Sequence, residues 1–193
     1  MEKVTREDAW NLLREFTESD SLIRHALAVE AGMRAYAEKY GEDIEKWGIV
    51  GLIHDFDYEK YPDNHPAEGE KILRERGWPE DIIYAVQGHA SREGFPRIHL
   101  MDKVLFAVDE LAGFIVAAVL VRPNRNFEGL KVKSIKKKLK DKAFARKVNR
   151  EEIYQGAEEL GIPIEDHIGF MIEALRKREE ELNKEGLSLL PSK

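Results

Sequence analysis

The chain has 193 residues, no cysteine, 35% charged residues and a formal net charge of −6. That is length enough for one domain with a core needing no covalent staples, and it excludes both a disulfide framework and a thiolate metal site. The charge is uneven: Lys131 to Arg150 holds ten Lys or Arg against one acid, Asp141, so the remainder is acidic and only this segment attracts polyanions.

Helical periodicity dominates and strand alternation is nearly absent, which predicts an all-α fold. The first helix is expected from Arg6 to Glu18. Asp20 or Ser21 caps a second, which runs to Tyr40 and is ended by Gly41. A third covers Asp43 to Phe56, and the loop DYEKYPDN follows with Pro62 as breaker. His65-Pro66 opens a fourth, where proline suits a first turn, and Gly77 stops it. Pro79 opens a fifth that ends near Gly88 to Ala90, and SREGFPR is a loop. The sixth and most apolar helix spans Leu100 to Val121. Its apolar stretch, Leu111 to Val121, falls short of the roughly 20 residues a membrane span requires. RPNRNFEG turns the chain, and a short basic helix covers Ser134 to Lys140. Asn149 caps Arg150 to Leu160, Gly161 and Pro163 punctuate, and Ile164 to Asn183 is the last helix. LSLLPSK reads as a loose tail.

These elements predict a single domain over residues 1–193, with a core at about 21–121 and a helical extension at about 131–183. The opening MEKVTREDAWNLL is charged from its second residue and lacks a leader pattern, so a soluble cytoplasmic protein is expected, with no membrane partner. Ile168, Met171, Ile172 and Leu175 share one helical face. Core is the expected use of that face, and a homodimer seam is the alternative.

Four costly residues stand among apolar neighbours at helical spacing: His25, the adjacent pair His54-Asp55, and Asp109. His25 shares a face with Leu22, Ala28 and Val29. His54-Asp55 closes WGIVGLIHD, and Asp109 lies inside KVLFAVDELAGFIVAAVLV. Polar groups buried near one another need a common partner, and a metal ion is one that satisfies all four. Each alone reads more simply as a hydrogen-bonded core residue.

The ordered His…His-Asp…Asp array resembles the HD superfamily of metal-dependent phosphohydrolases, over about Ser21 to Val121. HDFDYEKYPDNHPAEGEKIL looks like the family's HD loop with a further histidine, His65, and AVQGHAS places His89 where many members carry a histidine. The resemblance implies a helical fold with metal held by His25, His54, Asp55 and Asp109, and a second ion held by His65 and His89 with Asp55 as bridge. The pattern is similar to the HD-type diadenosine tetraphosphate hydrolases. It departs from the HD-GYP group, because Gly88 precedes His89 and no GYP follows.

The implied cofactor is one or two divalent transition ions: Fe, Mn, Co, Ni or Zn. The implied chemistry is attack of metal-activated water on a small phosphorylated substrate, a nucleotide being expected. Asp55 and Asp57 are expected to act on that water and Lys103 to face the same mouth, while Arg122 and Lys133 are expected to bind phosphate oxygens. His99 and His167 fall outside the array and are expected to be structural or solvent-facing. The basic segment lacks interleaved aromatics, so nucleic-acid binding is not expected. A di-iron oxygenase of HD type and a catalytically silent metal- or nucleotide-binding module are the rival classes.

Overall fold

A computed structural model describes residues 3–90 and 95–191, and among these every regular element is a helix. Thr5 opens α1 (Arg6–Phe16) with a capping box: its side chain takes the Asp8 N–H, and the Asp8 carboxylate takes the Thr5 N–H in return. Gly41, at φ +72°, ends α2 (Asp20–Tyr40) in the left-handed region that favours glycine. Asp43 caps α3 (Ile44–Ile53) by accepting from the Lys46 N–H at 3.0 Å. Then follow α4 (Ala67–Glu75), α5 (Glu80–Gly88), α6 (Leu100–Leu120), α7 (Val132–Lys140), α8 (Arg150–Glu159) and α9 (Ile164–Lys184). Asn149 caps α8 through the N–H groups of Glu151 and Glu152, as its sequence position predicts.

Helix α6 is the hub, touching α2, α5, α8 and α9, and its core face includes Val104, Leu105, Val108, Leu111 and Ile115. Burial of each such side chain contributes about 1.5–3 kcal/mol. Two glycines set how closely helices approach. A Cβ on Gly51 would lie 2.9 Å from the backbone N and Cα of Glu30, so only glycine lets α3 press its backbone onto α2. A Cβ on Gly156 would lie 2.5 Å from the Ala107 Cα, which seats α8 equally tightly on α6. Helix α1 is held by Arg6, whose guanidinium grips the buried Glu30 carboxylate through two bonds of 2.6 and 2.9 Å.

Three expectations change, and one with two alternatives is decided. Helix α3 stops at Ile53 rather than Phe56, because Thr17 Oγ1 donates to the Phe56 carbonyl at 3.0 Å and turns replace the helix from His54 on. Helix α7 starts two residues early, at Val132. Of the two uses expected for His167, structural or solvent-facing, the structural one holds: it is fully buried, Tyr36 Oη lies 2.5 Å from Nδ1, and Nε2 donates to the Ala107 carbonyl at 2.7 Å. The tail is not loose, since Leu189 is fully buried and its N–H donates to Glu179 at 2.7 Å. The Ile168, Met171, Ile172 and Leu175 face is core. Residues 91–94 of the expected SREGFPR loop lie outside the described residues. Among the described residues, no helix is long and apolar enough to cross a membrane.

Candidate metal centre

Five elements meet over Asp55. Helix α2 brings His25, the turn after α3 brings His54 and Asp55, and α6 brings Asp109. His65 stands just before α4, and His89 caps the C-terminus of α5. His25 Nε2 lies 2.9 Å from Asp109 Oδ1 and 3.9 Å from Asp55 Oδ2. His54 Nε2 lies 3.4 Å from each of the same two oxygens. The other Asp55 oxygen, Oδ1, lies 3.1 Å from both His65 Nε2 and His89 Nε2, which are themselves 3.0 Å apart. His25, His54, Asp55 and Asp109 therefore form one donor group, and Asp55, His65 and His89 a second. Each oxygen of Asp55 faces one of them.

Hydrogen bonds at the far ring nitrogens set the orientation. His54 Nδ1 donates to the Gly51 carbonyl at 2.7 Å, and His89 Nδ1 donates to the Val86 carbonyl. His65 Nδ1 donates to Asp57 Oδ1 at 2.7 Å. With Nδ1 carrying a proton, Nε2 of each ring can present a lone pair inward, the tautomer a metal ligand requires. His54 makes the strongest case. It is fully buried, and its Nε2 has no hydrogen-bond partner, a costly state for a polar atom unless something else binds it. This donor set of imidazoles and carboxylates fits a divalent transition ion.

Charge follows the geometry. Burial would raise the Asp55 carboxyl, but the charge of His54 and hydrogen bonds from His65 and His89 hold it well below the usual range. Burial acts against Asp109 in the same way, and His54 and His25 keep it low. Burial would lower His65; its bonds to Asp55 and Asp57 overcome that and push it up to about 9. Burial, aided by the charges of Asp109 and Glu152, drives Glu110 up to about 7, against the Asn149 N–H that donates to it at 2.9 Å.

A cavity of about 540 Å³ opens over the cluster, with His25, Asp55, His65, His89 and Asp109 in its lining. Tyr58, Glu110, Lys147, Val148 and Glu152 complete most of its wall. Asp57 does not line it. Its carboxylate is fully buried and occupied by His65 Nδ1 and by the Gly69 N–H at 2.8 Å, so it holds His65 rather than reaching the water expected of it. Lys103, Arg122 and Lys133 do not line it either. Lys103 acts on Glu159, Arg122 donates to the Asn126 carbonyl at 2.6 Å, and Lys133 is exposed on α7. His99 caps α6, with its N–H on Asp102 at 2.9 Å.

The basic side chain that does line the cavity is Lys147, which the sequence reading did not single out. It sits in the 141–149 loop, which Arg150 holds by donating to the carbonyls of Leu139, Asp141, Phe144, Ala145 and Val148. The signal available was an arginine at the start of α8, yet only the fold shows where that loop lands.

No curated protein and no solved structure matches the chain. Residues 22–113 match the family model for the HD domain, close to the 21–121 span of the sequence resemblance and ending just after Asp109. Residues 22–113 are thus similar to an HD domain, a family whose general character is metal-dependent hydrolysis.

Proposed function

We propose that the protein is a metal-dependent phosphohydrolase acting on a small phosphate ester, with nucleotides among the candidates, in the cavity over Asp55. The observation that carries this reading is the division of Asp55 between two donor groups, His25, His54 and Asp109 on one side, His65 and His89 on the other. A divalent ion bound there supplies acidified water and offsets the charge that grows on phosphoryl oxygens. His25, His54 and Asp109 would hold one ion with Asp55, and His65 and His89 a second with the same carboxylate. Asp57 positions His65 by fixing its tautomer.

Lys147 is the residue we assign to the substrate phosphate. It is the cationic wall residue beside four acids, Asp55, Asp109, Glu110 and Glu152, and a phosphate dianion needs that charge. Removing it by Lys147→Ala should raise KM by roughly 10- to 100-fold, the range for a charged hydrogen bond, with metal content unchanged. Val148 and Ala90 give the wall its apolar surface.

The test is purified protein loaded with Mn, Co, Ni or Fe and offered phosphomonoesters, phosphodiesters and nucleotides. Turnover that a chelator abolishes and metal restores is the expected result. Bound metal with no turnover on any ester would make the site a silent binding module. Oxygen consumption instead would make it an oxygenase.

A further inference from the structure

A second cavity, of about 570 Å³, adjoins the first, and His25 and Gly113 line both. It lies between α2 and α6. These helices run antiparallel, because Gly32 meets Val108 whereas His25 meets Gly113. On α6 the wall is one helical stripe, Gly113, Val116, Ala117 and Leu120, at spacings of three and four residues. Asp109 stands one turn above Gly113 on the same stripe. The groove therefore starts at His25 and at Gly113, one turn from Asp109, and follows α6 for about 10 Å from Gly113 to Leu120, at roughly 1.5 Å per residue.

His25 and Gly113 stand where the two cavities adjoin. A Cβ on Gly113 would stand 3.7 Å from His25 Nδ1, so the glycine leaves that much more room beside the ring. The lining is mostly apolar, and its polar side chains are Ser21, Arg24 and His25. Leu189 and Pro191 of the C-terminal segment form another wall, and Glu179 anchors that segment through the Ser188 hydroxyl and the Leu189 N–H. A cleft of a few hundred Å³ with apolar walls and few polar groups suits a small ligand rather than a protein face. Its continuity with the donor cluster identifies the occupant as part of the same molecule.

We infer that the phosphate ester taken by this site carries an extended aliphatic group, which lies in the α2–α6 groove while its phosphate sits between Asp55 and Lys147. The inference rests on the phosphohydrolase reading above. Hydrolysis of such a monoester breaks the P–O bond to the alcohol and forms one to the water oxygen, releasing inorganic phosphate and the alcohol, whose oxygen takes a proton from that water, with no change in oxidation state. The groove offers a nucleobase little to recognise, since Ser21 and Arg24 are the hydrogen-bonding side chains of its lining besides His25.

The experiment is a homologous series of alkyl phosphates, methyl to octyl, measured for kcat/KM, with matching alkylphosphonates measured for binding by calorimetry on the same metal-loaded protein. Each methylene buried should raise kcat/KM and affinity about three- to fourfold, with an increasingly negative heat capacity of binding. Ala117→Phe, at a half-buried groove position, should flatten both slopes while leaving methyl phosphate turnover and metal content unchanged. Leu120→Gln, at the far end, should remove the gain for the longest chains only. A slope in binding without turnover would keep the groove and contradict the hydrolase reading. Turnover of short esters with no slope would keep that reading and overturn the groove. Slopes that survive both substitutions, or nucleotides outperforming every alkyl phosphate, would overturn it too.

Discussion

His54 and His167 are both fully buried, yet their surroundings give them opposite characters. The His54 ring has one nitrogen on the Gly51 carbonyl and leaves Nε2 facing two carboxylates without a hydrogen bond. Both nitrogens of His167 are used, one accepting from the Tyr36 hydroxyl and one donating to the Ala107 carbonyl. Burial resists a proton on either ring. Asp55 and Asp109 reverse that for His54, whose pKa is raised well above the ordinary value, while His167 is lowered to about 4. Burial therefore does not mark a ligand. An open lone-pair position facing anions does, and burial with both valences filled marks a neutral structural ring.

The largest effect that could break this contrast is at His54. His54→Ala should cost more than about 100-fold in metal affinity, since losing an outer partner of a ligand alone costs roughly 10- to 100-fold. Metal content after dialysis checks it, and full retention of metal would put His54 with His167. At His167 the loss should be one of stability. His167→Ala leaves the Tyr36 hydroxyl and the Ala107 carbonyl unpaired beside a new cavity, costing about 2–4 kcal/mol in urea unfolding with metal content unchanged.

The pH dependence follows from the same ring. The folded pKa of about 4 is below the unfolded value of about 6.5, so between these values the unfolded chain holds the proton and the folded one does not. The stability from His167 is complete above about pH 6.5 and falls as pH drops towards 4, and His167→Gln should flatten the unfolding profile in that window.

Part of this contrast is legible in the sequence. His25, His54-Asp55 and Asp109 stand at apolar helical positions in a family order, and the fold brings them together. Capping residues marked the helix ends at Gly41 and Asn149, because they act through bonds a few residues away. Features set by distant partners were hidden. The early stop of α3 needs Thr17, 39 residues from Phe56 in the chain. The burial of His167 needs Tyr36 and Ala107. Lys147 reaches the cavity only because Arg150 gathers the loop, so a basic run gave no reason to prefer it over Lys133.

Smaller effects sharpen the contrast within the cluster. Asp57→Asn should weaken the second ion roughly 10- to 100-fold through His65, and leave the first ion bound, as seen in two-step metal titration. Uptake of that ion should also release about one proton from His65 at pH 7, because its pKa near 9 keeps it protonated there and ligation requires the neutral ring. Calorimetry in buffers of different ionisation heat reads this number. The release should fade above pH 9, and His167 should add nothing to it.

The most direct test is anomalous diffraction from crystals of the metal-loaded protein. The account predicts two ions on either side of Asp55, with His54 Nε2 within about 2.3 Å of one and His65 and His89 on the other. A structure with metal bound elsewhere, or with His54 Nε2 hydrogen-bonded as His167 is, would contradict it.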